Sequence, residues 1–390
     1  MAPWMETMPA PHRIMIVAGE ASGDLHGARL VREMRARRAD LSFWAIGGRA
    51  LKAAGATVIF DADALSVVGI TEVVSRLPQL LRAMRIAREA LRRLLPDLLV
   101  LIDFPDFNLH LAAAAKKLGV PVLYYICPQV WAWRKGRVRT IRRRVDHAAV
   151  ILPFEADFFR RHGVDATYVG HPLLDKAPDL QPAPAAGSPV VGLLPGSRHR
   201  EVARHLPPMV DAARRIERKV KNVRFLVSIA PSVGRAAVEA ALAGGSTPAS
   251  LSLTQDPVED LFGRLTMAVA VSGTVTLQAA LAGTPTVIIY RVSSLSYWTG
   301  RLLVRVPYIG LANLIAGRRV MPELIQKEAD AARIAATVAA MLGSPSRLEK
   351  MRSELLAVRD RMGQPGAAGR VADIGLRLAA GRTPPLRSAN

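Results

Sequence analysis

Two stretches of the chain, RIMIVAGEASGDLHGARLVREM (Arg13–Met34) and PVVGLLPGSRHREVARHLPPMV (Pro189–Val210), open alike. Each has a short apolar run, a glycine-containing loop and then a helical pattern, which is the mark of a strand feeding a helix through a tight turn. The alternation continues after each. In the first half, strands are predicted over Arg13–Ala18, Ser42–Ile46, Leu98–Ile102, Pro121–Tyr125 and Ala148–Leu152. Helices are predicted over Asp24–Arg38, Thr71–Leu95, Pro105–Leu118 and Phe154–His162. The segment Lys176–Pro189 (KAPDLQPAPAAGSP) then holds four prolines and no periodicity, as a linker would. Beyond it strands are predicted at Val190–Leu194, Arg224–Ile229, Leu251–Leu253, Ala268–Val271 and Thr286–Tyr290. A helix runs from the second glycine loop to about Lys219, and Asp330–Arg359 is helical. The closing GRTPPLRSAN has the composition of a disordered tail.

Strands alternating with helices build parallel sheets covered on both faces. At 390 residues the chain exceeds the roughly 250–300 at which a single core stops growing. The expected fold is α/β, with two Rossmann-like domains facing each other across a cleft. They span residues 1–175 and 190–365, with a linker over 176–189 and a tail over 366–390. Ligands in such sheets bind beyond the carboxyl ends of the strands, so chemistry is expected in the loops there, drawn from both halves.

The formal charge of +21 calls for an anionic partner: nucleic acid, an anionic membrane surface or phosphorylated substrates. Arg134–Arg144 carries seven basic residues, and Arg76–Arg93 spaces Arg82, Arg85, Arg88 and Arg92 among apolar residues. On a helix, Leu77, Leu80, Leu81, Met84 and Leu91 gather opposite those arginines. That pattern suits an anionic membrane surface, or simply a half-buried helix with a solvated face. A nucleic-acid-binding protein is disfavoured: no zinc-finger or RNP-like motif occurs, and the arginines lie on apolar helices instead of among stacking aromatics. The single Cys127 excludes an intrachain disulfide, and a reducing, cytosolic setting is expected. No run reaches the roughly 18 apolar residues of a membrane span. The opening MAPWMETMPAPHR lacks a basic stretch followed by an apolar one, so no signal peptide is expected.

In the first loop, Gly19 and Gly23 allow close backbone approach, and Ser22 or Asp24 can cap the next helix. Asp103, after the apolar strand LLVLI, either faces the cleft as a base for a substrate hydroxyl or caps the helix that begins at Pro105. Asp106 suits a first-turn carboxylate facing the helix dipole. In the second half, Gly196, Ser197 and Arg198 precede a helix, where backbone N–H groups and a guanidinium favour phosphate. Ser272, Gly273 and Thr274 form a similar loop before helix Val275–Leu281. Neither loop has the P-loop lysine or a complete G-x-G-x-x-G. Asp61-Ala62-Asp63 matches a metal-holding tripeptide that also arises easily by chance, and no metal is expected there. Trp131 and Trp133 can stack on a ring, anchor at an interface or pack in the core.

Nine segments, in this order, resemble the lipid-A-disaccharide synthase family: AGEASGD (Ala18–Asp24), VVGITEV (Val67–Val73), IDFPDFN (Ile102–Asn108), VWAWR (Val130–Arg134), LPFE (Leu152–Glu155), GHPLLD (Gly170–Asp175), LLPGSRHREV (Leu193–Val202), SGTVTLQAAL (Ser272–Leu281) and NLIAGRRVMPELIQ (Asn313–Gln326). The resemblance covers about residues 13–330. It implies a GT-B transferase with inverting chemistry and neither metal nor other cofactor. The implied donor is UDP-2,3-diacylglucosamine and the acceptor 2,3-diacylglucosamine 1-phosphate, on the cytoplasmic face of a Gram-negative inner membrane. By the same resemblance Asp103 is the base, Arg198 the partner of the departing diphosphate, and Asn313 part of the UDP-binding segment. Gly19, Glu20 and Ser22 belong to the N-terminal active-site loop. The family usually has Glu where this chain has Gln278, so weaker UDP binding is expected, and tighter binding on Gln278→Glu. With lipid substrates implied, Arg76–Arg93 and Tyr297–Arg305 become candidates for docking on an anionic membrane. The alternative within the class is another UDP-GlcNAc-type enzyme, a lipid-linked N-acetylglucosaminyltransferase or a 2-epimerase. The sequence leaves acyl-chain preference and oligomeric state open, a homodimer included.

Overall fold

The computed structural model describes residues 12–62, 77–133, 136–176, 187–293, 297 and 306–381. The chain forms two compact units, one of residues 1–172 with 364–390, the other of residues 173–363.

The first unit is built on a parallel sheet of seven strands: β1 (His12–Ala18), β2 (Leu41–Gly47), β3 (Thr57–Asp61), β4 (Leu98–Ile102), β5 (Val122–Tyr125), β6 (His147–Val150) and β7 (Ala166–Tyr168). Their spatial order is β3-β2-β1-β4-β5-β6-β7. The helices are α1 (Ala21–Arg37), α2 (Arg49–Ala53), α3 (Leu77–Leu94), α4 (Pro105–Lys117), α5 (Arg137–Arg144) and α6 (Glu155–Arg161). Both faces of the central strands are buried, which is why they read as continuous apolar runs. Met15, Val17, Leu99 and Leu101 join a core cluster with Ala83, Ala87 and Leu91 of α3. Ile14, Ile16, Leu98 and Val100 join another with Leu30, Val31 and Met34 of α1.

The second unit repeats the plan with β8 (Val190–Leu194), β9 (Arg224–Ser228), β10 (Leu251–Thr254), β11 (Met267–Val271), β12 (Thr286–Tyr290) and β13 (Glu323–Ile325), in the order β10-β9-β8-β11-β12-β13. Its helices are α7 (His199–Glu217), α8 (Arg235–Leu242), α9 (Val258–Phe262), α10 (Thr274–Leu281), α11 (Leu311–Ala316), α12 (Ala331–Leu342) and α13 (Pro345–Arg361). The single helical stretch expected from Asp330 is two helices, parted at Gly343 and Ser344 ahead of Pro345. Asp330 caps the first of them by accepting the Arg333 N–H.

Three differences from the sequence reading have physical causes. The expected tail from residue 366 contains a helix, α14 (Ala367–Ala380), that belongs to the first unit. Its Val371, Ala372 and Ile374 join the core cluster of α1, Arg370 Nε donates to the Val169 carbonyl at 2.8 Å, and Asp373 accepts from Arg37 at 2.6 Å. Its buried stripe is built largely of Gly and Ala, which mark a core face less plainly than branched apolar residues do. Next, β3, β7 and β13 went unread: each ends a sheet, and an edge strand with one neighbour lacks a fully buried run. Finally, neither Ser22 nor Asp24 caps α1. The buried Asp24 carboxylate instead accepts the N–H groups of Gly48, Ala50 and Leu51, capping α2 from across the unit. The segment Val67–Val73, the prolines of the linker from Pro178 to Pro184, and Tyr297–Arg305 apart from Tyr297 lie outside the described residues.

Trp131 and Glu155, from two of the quoted segments, meet in the core of the first unit. The indole Nε1 of Trp131 donates to Glu155 Oε1 at 2.8 Å, and Oε2 accepts the N–H groups of Ile151 and Leu152. Of the readings offered for Trp131, core packing holds, with its ring edge-on to Phe154. Burial without a cation raises the Glu155 carboxyl from 4.5 to about 7, against the opposing effect of its three N–H donors. Its contribution to stability is therefore complete below about 4.5 and is lost as the pH climbs through about 7. Trp131→Phe removes one donor from the ionised form. Urea unfolding should show a loss of about 1–3 kcal/mol that is larger at pH 8 than at pH 5.5; equal losses at both would mean the indole bond does not serve the carboxylate.

Candidate functional site

In the first unit β1 and β4 are neighbours, with Ala18 opposite Ile102, so the loops that leave them emerge side by side. A Cβ on Gly19 would lie 2.4 Å from the Phe104 ring, so this approach requires glycine. Asp103 and Phe104 both adopt left-handed backbone, with φ of 47° and 48°. For residues other than glycine that conformation costs roughly 1–3 kcal/mol each unless the surroundings impose it. The surroundings do so here. The Asp103 carbonyl accepts from Asn108 Nδ2 at 2.6 Å and from the Tyr124 hydroxyl at 2.7 Å, and its own N–H donates to the Tyr125 carbonyl. Asn108 Nδ2 also reaches the Ile102 carbonyl at 3.2 Å. Asn108 and Tyr124 are fully buried.

Asp103 does not cap α4; the N-cap position is Phe104, whose side chain makes no cap, and Pro105 opens the helix. The Asp103 carboxyl is raised above its ordinary value, chiefly by burial, then by the like charge of Glu20, while the Phe104 N–H pulls it down. Asp106, three residues on, is exposed and ion-paired to Arg137. Glu20 and Ser22 are exposed at the start of α1.

The second unit holds a pocket of about 580 Å³ at the corresponding place, outside the carboxyl ends of β8 and β11. Gly196, Ser197, Arg198, Ser272, Gly273, Thr274 and Gln278 all line it. The strand order reverses between β8 and β11, so the loops opening α7 and α10 diverge and leave a crevice. Gly196 takes φ of 115°, and a Cβ there would meet Glu201 Oε2 at 2.5 Å. That carboxylate accepts the Ser197 N–H and pairs with Arg198 at 3.0 Å. Arg198 is mostly exposed, and a guanidinium with five N–H donors keeps several beyond this pair. Gln278 Nε2 donates to Glu259 Oε1 at 3.0 Å, and Glu259 also lines the pocket.

Asn313 departs from the expectation. It is fully buried and does not line the pocket: Nδ2 donates to the Met321 carbonyl and Glu323, and Oδ1 accepts the N–H groups of Val320 and Met321. Its hydrogen-bonding capacity is spent on shaping the chain around β13. The sequence reading also missed Asn108, Tyr124 and Glu259. An asparagine inside the otherwise apolar face of α4 was a usable signal; a tyrosine in an apolar strand was not. Of Asp61-Ala62-Asp63, the last residue lies outside the described residues. Among the described residues no group of three or more His, Cys, Asp or Glu side chains could hold a metal ion.

The family model for lipid-A-disaccharide synthetase matches residues 14–365. A lipid-A-disaccharide synthase of Myxococcus xanthus is 45% identical over 95% of this chain and 98% of its own. That of Syntrophus aciditrophicus is 47% identical over 94% and 97%. Among solved structures, Acinetobacter baumannii MurG superposes with a TM-score of 0.61 at 16% identity, covering 94% of this chain and 100% of that one. The S. aureus MnaA–UDP co-structure gives 0.63 at 12%, covering 94% and 97%. At such identities these structures bear on the fold alone, the two-domain α/β arrangement of GT-B. The relatives and the family model go further: the chain belongs to the lipid-A-disaccharide synthase family, whose members are glycosyltransferases.

Proposed function

We propose that the protein transfers 2,3-diacylglucosamine from UDP to the 6-hydroxyl of 2,3-diacylglucosamine 1-phosphate. The products are UDP and a β-1,6-linked disaccharide 1-phosphate. The observation that carries this reading beyond kinship is the pocket at the β8/β11 strand reversal, lined by the loops before α7 and α10 and by Arg198. Such a crevice suits a nucleoside diphosphate, because helix-start N–H groups and a guanidinium meet the charge of the phosphates.

The Asp103 carboxylate takes the proton of the acceptor 6-hydroxyl as that oxygen attacks the anomeric carbon. The bond from that carbon to the diphosphate breaks on the opposite face, inverting the centre, and its electron pair leaves on UDP. Arg198 and the Ser272–Thr274 loop stabilise the charge that grows on the departing diphosphate. Asp103 is preferred to Asp106 because the latter is committed to Arg137. Glu20 lies near enough to the base to act on its charge, and Gly19 allows Phe104 to close beside it. Asn313 supports the pocket's surroundings from within the fold.

The acyl chains of both substrates call for a membrane surface, and α3 offers one means of reaching it. Ala83, Ala87 and Leu91 face the core, while Leu77 at 51% and Leu81 at 59% stand exposed beside Arg82, Arg85, Arg88 and Arg92. Exposed leucines flanked by arginines suit the cytoplasmic face of an anionic inner membrane. No helix among the described residues is long and apolar enough to cross one.

Purified protein given both lipid substrates should release UDP only with the acceptor present and yield disaccharide by mass spectrometry. Asp103→Asn should lower that turnover about 10²–10⁴-fold. UDP release without acceptor would return the enzyme to the wider UDP-sugar class. Because the base must be ionised, and because burial and Glu20 raise its pKa, kcat/KM should fall on the acid side at a pH above the ordinary carboxylate range. Glu20→Gln should move that limb to lower pH; an unmoved limb would mean that another group titrates there.

The protein should co-sediment with phosphatidylglycerol-containing vesicles at low salt and release as salt screens the attraction. Leu77→Ser with Leu81→Ser should weaken this binding without altering UDP affinity. Undiminished binding would remove α3 from the docking surface.

A further inference from the structure

Three carboxylates line the pocket of the second unit: Glu201, Asp256 and Glu259. Glu201 pairs with Arg198 at 3.0 Å and Asp256 with Arg264 at 2.8 Å. Glu259 has no cationic partner among the described residues, in a chain of 53 Lys and Arg against 32 Asp and Glu. What it has is an amide, Gln278 Nε2 donating to its Oε1 at 3.0 Å. The second oxygen, Oε2, remains for a ligand. The donated bond also orients Gln278, leaving its Oε1 as an acceptor.

A carboxylate in this position repels phosphate and calls for uncharged donors. The arrangement divides the pocket. The loops opening α7 and α10 supply N–H groups and Arg198 for an anion, whereas Glu259 supplies only acceptors, and Gln278 adds its Oε1 and one remaining N–H. A nucleoside diphosphate has this polarity, an anion joined to a sugar bearing two adjacent hydroxyls. We infer that Glu259 is the acceptor for the ribose hydroxyls of the bound nucleotide, held in place by Gln278. The carboxylate absent from position 278 is thus supplied from α9. This rests on the reading of the pocket as a UDP site.

The inference reverses an expectation drawn from the sequence. Gln278→Glu alone would place two carboxylates about 3 Å apart and remove the amide donor, so it should weaken UDP binding instead of tightening it. In the double variant Glu259→Gln with Gln278→Glu, the amide and the carboxylate exchange helices and one carboxylate faces the ligand again.

The test is calorimetric titration of the full chain and its three variants with UDP and with 2′,3′-dideoxy-UDP. The native protein should prefer UDP. Glu259→Gln should weaken UDP about tenfold or more, the scale of a hydrogen bond to a charged group, and leave the dideoxy nucleotide nearly unaffected. Gln278→Glu should also weaken UDP, and the double variant should recover most of the loss. Unchanged UDP affinity in Glu259→Gln would overturn the inference. So would equal losses for the two nucleotides, which would assign Glu259 to the uracil or to the fold. A native protein that binds no UDP would sink the nucleotide reading itself, a result distinct from either.

Discussion

The parallel pairing of β1 with β4 ends with Ala18 opposite Ile102, and that of β8 with β11 ends with Leu194 opposite Ala270. In each sheet the chain runs outward on one side of the first strand and returns to build on the other, so the strand order reverses at this pair. Helices leaving the two strands must pass to opposite faces, and the backbone between their starts has no covering element. The same local bond recurs at both places. The Asp103 N–H reaches the carbonyl of Tyr125 at the end of β5, and the Ser272 N–H that of Ile289 near the end of β12. Asp103 and Ser272 are thus equivalent positions in two copies of one plan, and the chemistry assigned to each half grows from one backbone geometry.

The two copies use that geometry differently. Beside β8 a glycine, Gly196, takes the positive φ and lets a carboxylate and backbone N–H groups close in. Beside β4 the residue in left-handed backbone is Asp103, which carries the carboxyl proposed as the base, so glycine cannot serve. The strain at Asp103 and Phe104 is offset by fixed partners: two buried side chains, Asn108 and Tyr124, both donate to one carbonyl. The carboxyl is positioned through its own backbone, which leaves its oxygens uncommitted to any cap. This is why the capping role open in the sequence is not taken.

Much of the fold was legible because the central strands are buried on both faces and so leave continuous apolar runs such as Leu98–Ile102. The edges were not, since β3, β7 and β13 are short and half-exposed. Nor was α14, whose buried face is mostly Gly and Ala and so reads less plainly as a core face, although these small residues let it lie close against α1 and β4. In the pocket, seven residues named from loop position and resemblance do line one cavity, because loop position follows directly from strand order. Asn313 was named from a segment and proved internal. A segment match carries a residue's place in the chain but not the direction of its bonds. Long-range partners such as Asn108 with Asp103, or Gln278 with Glu259, depend on which turn of a helix faces which loop, and no local pattern encodes that.

The carboxylates of this basic chain sort by what satisfies them. With arginine in excess, ion pairing is the default, and Asp106, Glu201 and Asp256 follow it. A second group is held by backbone N–H groups and serves the fold: Asp24 at the start of α2, Glu155 above β6, and Glu323, which accepts from Ile309 and Gly310. Among the described residues Asp103, Glu20 and Glu259 fall into neither group, as do the surface carboxylates Asp260 and Asp360, but the first three stand at carboxyl-end loops or in the pocket. Leaving a carboxylate without a guanidinium in so cationic a chain forgoes an attraction available almost anywhere else on its surface. That cost is sensible where the group must accept from a substrate hydroxyl: a guanidinium at hand would lower the basicity of Asp103 and occupy the free oxygen of Glu259. At Asp103 and at Glu259 the lack of a guanidinium partner among the described residues thus accords with the accepting role proposed for each, as Arg198 accords with an anion.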